Sequence, residues 1–129
     1  MYTIEGSYRG PKYRVKKSIF IASIYHVDSY QEVKETLAKV GKEFRKASHN
    51  SWAFKLLEGG EITSDDSDDG EVKGTAGRVI ATHIEEFVNV LLVVTRFYGG
   101  INLGKGGLIR SYSKTALDLI TNIPKITVD

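Results

Sequence analysis

"VNVLLVVTRFYGGINLGKGGLIRSYSKTALDLI", residues 88–120, is the stretch that decides how this chain is read. As far as Val94 it is apolar on both alternating faces, the mark of a central strand covered above and below. Gly99, Gly100, Gly104, Gly106 and Gly107 follow. Glycine at this density signals backbone passing where a Cβ could not. Beyond the loop, Leu108, Ile109, Tyr112, Ala116 and Ile120 recur at helical spacing, which predicts a helix over 107–120.

Upstream, "TAGRVIATHIEEF" (75–87) sets Ala76, Val79, Ile80, Ile84 and Phe87 on one helical face. "SWAFKLLE" (51–58) alternates as a strand, with "EITS" (61–64) returning beside it. Residues 28–48 carry one apolar stripe, Tyr30, Val33, Leu37, Val40, Phe44 and Ala47, after a capping box of Ser29 and Glu32. "KYRVKKSIFIASIYHV" (12–27) is rich in β-branched and aromatic residues and predicts one long strand or two short ones. Pro124 breaks the chain before "KITVD", an expected edge strand. Helices thus alternate with strands over 129 residues, which implies one compact two-layer α/β or α+β domain spanning 1–129.

The net charge of +2 allows a nucleic-acid partner without demanding one. Cysteine is absent, which excludes disulfides, thiolate catalysis and cysteine-bound zinc. No apolar run approaches the 18 or so residues of a spanning helix, and the start matches no signal or transit pattern. The expectation is a cytoplasmic protein with no membrane partner.

Residues 99–106, "GGINLGKG", nearly satisfy the phosphate-loop pattern, but Gly106 stands where a Mg²⁺-binding hydroxyl belongs. The ingredients of an anion site remain. Helix-start N–H groups would face the loop, and Lys105 and Arg110 sit where the helix dipole disfavours cations. Arg78 repeats that inversion after Thr75, an expected helix cap. Arg78, Arg96 and Arg110 either bind an anionic ligand or pair with the acidic stretch at 64–71; the residues leave both open.

That stretch fails as a calcium loop, because position twelve is Ala76 where a bidentate glutamate is needed. A Mg²⁺ loosely held by Asp68, Asp69 and Glu71 stays open beside a solvated loop. His26, His49 and His83 have no metal spacing, so no metal or cofactor is expected. Should the chain be an enzyme, a hydrolase or phosphate-ester enzyme, His49, Asp68, Asp69 and Glu71 are its candidates. In the first strand Lys12, Arg14 and Lys16 share a face by alternation, with Tyr8 and Tyr13 interleaved. Such a strip suits single-stranded RNA, but the residues favour an ordinary exposed edge guarded by lysines.

Three segments together resemble the IMPACT family, whose bacterial branch is called YigZ: "SHNSWAF" (48–54), "SDDGEVKGTAGR" (67–78) and "VVTRFYGGINLGKGGLIRSY" (93–112). The resemblance runs from about Ser18 to Ile120. It implies an α+β two-layer sandwich like domain 2 of ribosomal protein uS5, a mixed, mostly antiparallel sheet with helices on one face. It also implies a link to translation. Eukaryotic members restrain the amino-acid-starvation kinase by competing for its activator, chiefly through an RWD domain for which these residues leave no room. Ser51 stands where the family commonly has cysteine, and Val72 and Val79 where it commonly has proline. The expectation is a non-enzymatic, translation-linked module in stress control. It would bind RNA or the ribosome without DNA specificity, or else a translation-regulatory protein.

Overall fold

The computed structural model describes residues 1–128. At its centre is β7 (Val90–Phe97), buried from Val90 to Arg96, as an apolar run on both faces requires. β4 (Ser18–His26) and β5 (His49–Glu58) flank it, both antiparallel. β6 (Glu61–Ser67) extends the sheet beyond β5, and β2 (Ser7–Arg9) and β3 (Tyr13–Val15) both pair with β4. The order is β2-β4-β7-β5-β6, with β3 beside β4, and every pairing in this sheet is antiparallel. The α+β class is as expected, and the sheet, expected to be mixed and mostly antiparallel, is antiparallel throughout.

The pleat sends alternate residues to two cores. Phe20, Ala22 and Ile24, Ala53, and Val90, Leu92 and Val94 meet α2 (Gly77–Thr82) and α3 (Gly104–Ile120). There the rings of Phe20 and Tyr112 meet edge to face at 5.1 Å, worth about 0.5–1.5 kcal/mol beyond their buried area. Phe54, Leu56, Leu91 and Val93 point the other way, onto Val33 and Val40 of α1 (Tyr30–Glu43). The expectation of helices on one face is therefore corrected. α2 and α3 share a face and α1 covers the opposite one, because β7 is apolar on both sides and each side needs a cover.

Ser29 caps α1 by accepting from the Glu32 amide, as its capping box predicts. The helix ends at Glu43, short of Ala47, where Phe44 leaves helical geometry and sets its ring against Phe97 at 6.3 Å. The expected helix over 75–87 is regular only from Gly77 to Thr82, and Ile84 and Phe87 reach the core from the turns after it. Residues 12–27 form two strands joined by a turn in which Lys16 (φ 46°) and Lys17 (φ 66°) are left-handed. β1 (Tyr2–Thr3) and β8 (Ile126–Thr127) pair as a separate ribbon, so the C-terminal strand does not edge the main sheet. Asp129, the last residue of that expected strand, lies outside the described residues. Among the described residues no helix is long and apolar enough to cross a membrane.

Candidate functional site

The acidic stretch divides. Asp65, Asp66 and Ser67 belong to β6, an exposed strand rather than a loop. Asp69 (φ 47°) and Gly70 (φ 82°) then turn the chain back and carry Glu71 beneath the sheet, 8% exposed. A carboxylate so buried needs partners. Arg96 Nη1 donates to its Oε2 at 2.8 Å and the Tyr112 hydroxyl donates to the same oxygen at 2.6 Å. Burial pushes the Glu71 carboxyl upward, but the Tyr112 and Arg96 hydrogen bonds and the nearby positive charge outweigh it and hold the group below its ordinary range. Burial and the same carboxylate drive the Tyr112 phenol upward, so it stays a donor.

His49 and Arg96 are register partners across β5 and β7, which places both beside Glu71. His49 Nδ1 donates to the Asp69 carbonyl at 2.9 Å; a carbonyl only accepts, so the hydrogen is on Nδ1. Nε2 is left facing Glu71 Oε1 at 3.6 Å. On its other side Arg96 donates to Ser18 Oγ, which also accepts from the Gly99 amide at 3.2 Å. Ser18 thereby ties the buried ion pair to the glycine loop.

Gly99 must be glycine, since a Cβ there would fall 2.1 Å from the Lys17 carbonyl carbon. Gly104 is left-handed, φ 72°. α3 opens at Gly104, a turn earlier than its apolar spacing predicts, because Gly104, Gly106 and Gly107 carry no side chain to mark the face. No side chain caps it and its first turn holds no acidic residue. A cavity of about 460 Å³ lies between this helix start and the buried cluster, lined by His49, Glu71 and Arg96 on one side and Tyr98 and Asn102 to Lys105 on the other.

The structure brings His49, Glu71, Arg96, Gly104 and Lys105 to one cavity, and other candidates fall elsewhere. Asp68 accepts from the amides of Gly74, Ala76 and Gly77 at 2.9, 3.2 and 2.9 Å. Burial works to raise its pKa, but those amides and the charge of Arg78 hold it below its usual value. Asp68 is thus the acid that α2 needs, replacing Thr75, whose hydroxyl donates to the Val72 carbonyl. The inverted charge at Arg78 is answered by a residue of the protein, and Arg78 does not line the cavity. Asp69 accepts from the Asn50 amide at 2.7 Å and is likewise outside the lining. Arg110 is exposed, with its guanidinium against Gly106.

The basic strip is rearranged. Tyr8 and Tyr13 pack against the α3-side core, and Lys114 lies 5.5 Å from the Tyr13 ring. Lys12 and Arg14 stay exposed, but Lys16 is in the turn and shares no strand face with them. Among the described residues no three histidine, cysteine, aspartate or glutamate side chains converge to hold a metal. Sequence reading missed Ser18, Tyr112 and Tyr98. The first two look like ordinary strand and helix residues, and only Tyr98, beside the glycines, carried a local signal.

Residues 16–120 match the Impact N-terminal domain model. The chain is 37% identical over 111 residues to the IMPACT family member YvyE of Bacillus subtilis (strain 168), covering 84% of this chain and 51% of that protein. It spans about half the length of the curated bacterial relatives it matches. A hypothetical protein of known crystal structure superposes with a TM-score of 0.80 at 29% identity, over 95% of this chain and 64% of that one. The two-domain translational regulator Yih1 superposes with a TM-score of 0.58 at 26% identity, over 92% of this chain and 47% of its own.

Proposed function

This chain belongs to the IMPACT family, and from that premise we propose that it is a translation-linked binding module whose cavity receives a phosphate of RNA. The link to translation rests on kinship with a protein described as a translational regulator. The RNA reading rests on one contrast between two helix starts. α2 begins with a carboxylate of the protein on its amides, whereas α3 begins with neither a cap nor an acid, and opens on a cavity beside Lys105. Free amides and a cation at a helix start favour an anion.

Phosphoester hydrolysis is a weaker reading of the same place. His49 and Glu71 both line the cavity, but Glu71 already accepts from Arg96 and Tyr112 and is held ionised, which makes it a poor proton acceptor. Asp68 and Asp69, its other proposed acids, are engaged with backbone amides.

Fluorescence anisotropy with labelled RNA tests the proposal. Binding should weaken as salt rises, with a log–log slope of about −0.7 for each single-strand phosphate contact. No binding to any single-stranded or structured RNA at about 50 mM salt, the permissive end of the range for phosphate contacts, refutes it. Mg²⁺-dependent phosphoester turnover abolished by Glu71→Gln would put the enzyme in its place.

A further inference from the structure

Tyr98 stands at the cavity mouth with 49% of its surface exposed, yet it is not loose. Its amide donates to Ser48 Oγ at 3.0 Å and its hydroxyl donates to Asn102 Oδ1 at 3.2 Å. The Arg96 guanidinium lies over the ring, 5.2 Å from its centroid. An aromatic ring pinned at both ends and backed by a buried cation is a preorganised flat surface, and its exposed area is free to receive another ring.

Cations flank it from separate elements. Lys17 abuts Gly99, the residue after Tyr98, and Lys105 lies across the cavity on α3. Lys16 and Lys17 occupy a two-residue hairpin turn with both φ values positive, a conformation that asparagine–glycine fills with least strain. Both are exposed, and among the described residues neither they nor Lys105 and Arg110 form an ion pair. What two lysines add to this exposed turn is positive charge, on a hairpin whose Lys17 backbone lies against Gly99, the residue after Tyr98.

Resting on the RNA reading above, we infer that the occupant is single-stranded RNA, with one unstacked base laid on Tyr98 over the cavity and its flanking phosphates on the Lys16–Lys17 turn and Lys105. The charge complementarity is to a polyanion. The aromatic surface selects a strand whose bases are free to stack, which a duplex does not offer. The basic strip thus shifts from the face of the first strand to the tip of its hairpin.

The test is anisotropy with a fluorescein-labelled single-stranded RNA and a matched RNA duplex, on wild type, Tyr98→Ala, Tyr98→Phe and Lys16→Gln/Lys17→Gln, across a salt series. Tyr98→Ala should weaken single-strand binding roughly ten-fold or more, the scale of one stacked base, with the salt slope unchanged. Tyr98→Phe, which keeps the ring, should restore it to within a few-fold. The double lysine variant should flatten the slope by about 1.4, two single-strand contacts. Wild type binding RNA while Tyr98→Ala binds equally well, or the duplex binding as tightly as the single strand, overturns this inference and leaves the RNA reading standing. Failure of wild type to bind either RNA overturns both.

Discussion

Arg96 and Glu71 meet at 2.8 Å with only 5% and 4% of their side-chain surfaces open to solvent. They come from a central strand and from a turn 25 residues earlier, so the pair pins the acidic segment to the sheet. Removing one partner leaves a buried charge. Arg96→Ala should destabilise the fold by about 3–5 kcal/mol, measured by urea denaturation. The double variant Arg96→Met/Glu71→Leu should lose less than the two single losses together, since neither charge is orphaned. Additive losses would show that the pair is not coupled.

Stability should fall with acid in two windows. The His83 pKa is lowered from its ordinary 6.5 by burial, although Glu85 opposes the shift. The unfolded chain therefore binds that proton first, and stability declines as pH drops below about 6.5 toward the folded value. Glu71 is held below its ordinary 4.5, so its contribution is complete above that pH and lost as pH falls through the folded value. Urea midpoints of His83→Gln and Glu71→Gln should flatten the upper and lower window respectively. A lower window unchanged in Glu71→Gln would contradict the Glu71 assignment.

Asp68, a candidate acid only should the chain be an enzyme, holds the amides at the start of α2 in the structure. Its loss leaves three backbone donors without their acceptor. Asp68→Ala should cost about 1–2 kcal/mol, the usual scale of a lost cap, and Asp68→Asn less, because an amide oxygen still accepts. RNA affinity measured well below the melting temperature should stay within two-fold. A ten-fold loss of affinity in the folded Asp68→Asn variant would return Asp68 to the site.

What the sequence revealed follows periodicity. β7 and α3 were legible because apolar spacing survives in them, and the loop between them because glycine is conspicuous. The start of α3 was not, since Gly104, Gly106 and Gly107 have no side chains with which to show a face. Nor was the side of the sheet taken by α1: Val33, Leu37 and Val40 fix which stripe is buried, not which face of β7 it covers. Within the site, each of the three quoted motifs contributes to the cavity, through His49, Glu71 and Arg96, while Asp68, Asp69 and Arg78 of the same motifs stay outside it. Ser18 and Tyr112 were invisible as site neighbours because their roles depend on register: Phe20 opposite Arg96 sets Ser18 two residues along the same strand. The capping role of Asp68 was not legible, because an acceptor nine residues before the first residue of α2 leaves no local pattern.

The glycine loop separates scaffold from ligand most cleanly, because its residues carry different constraints. Gly99→Ala puts a Cβ against the Lys17 backbone, which cannot swing aside as a flexible side-chain end can, and should unfold the domain or tear the hairpin from the loop. Gly104→Ala has open space but keeps a left-handed φ, and should cost about 1–2 kcal/mol. Gly106→Ala has a helical position and meets only the mobile end of Arg110, 3.1 Å away, so it should be neutral or stabilising by up to about 1 kcal/mol. Arg110→Ala removes an exposed cation with no ion-pair partner among the described residues, and its melting temperature should match wild type. Arg110 does not line the cavity, so RNA affinity should stay within two-fold. A ten-fold loss of affinity at an unchanged melting temperature would return Arg110 to the site, and a markedly lower melting temperature would show that the arginine supports the helix start.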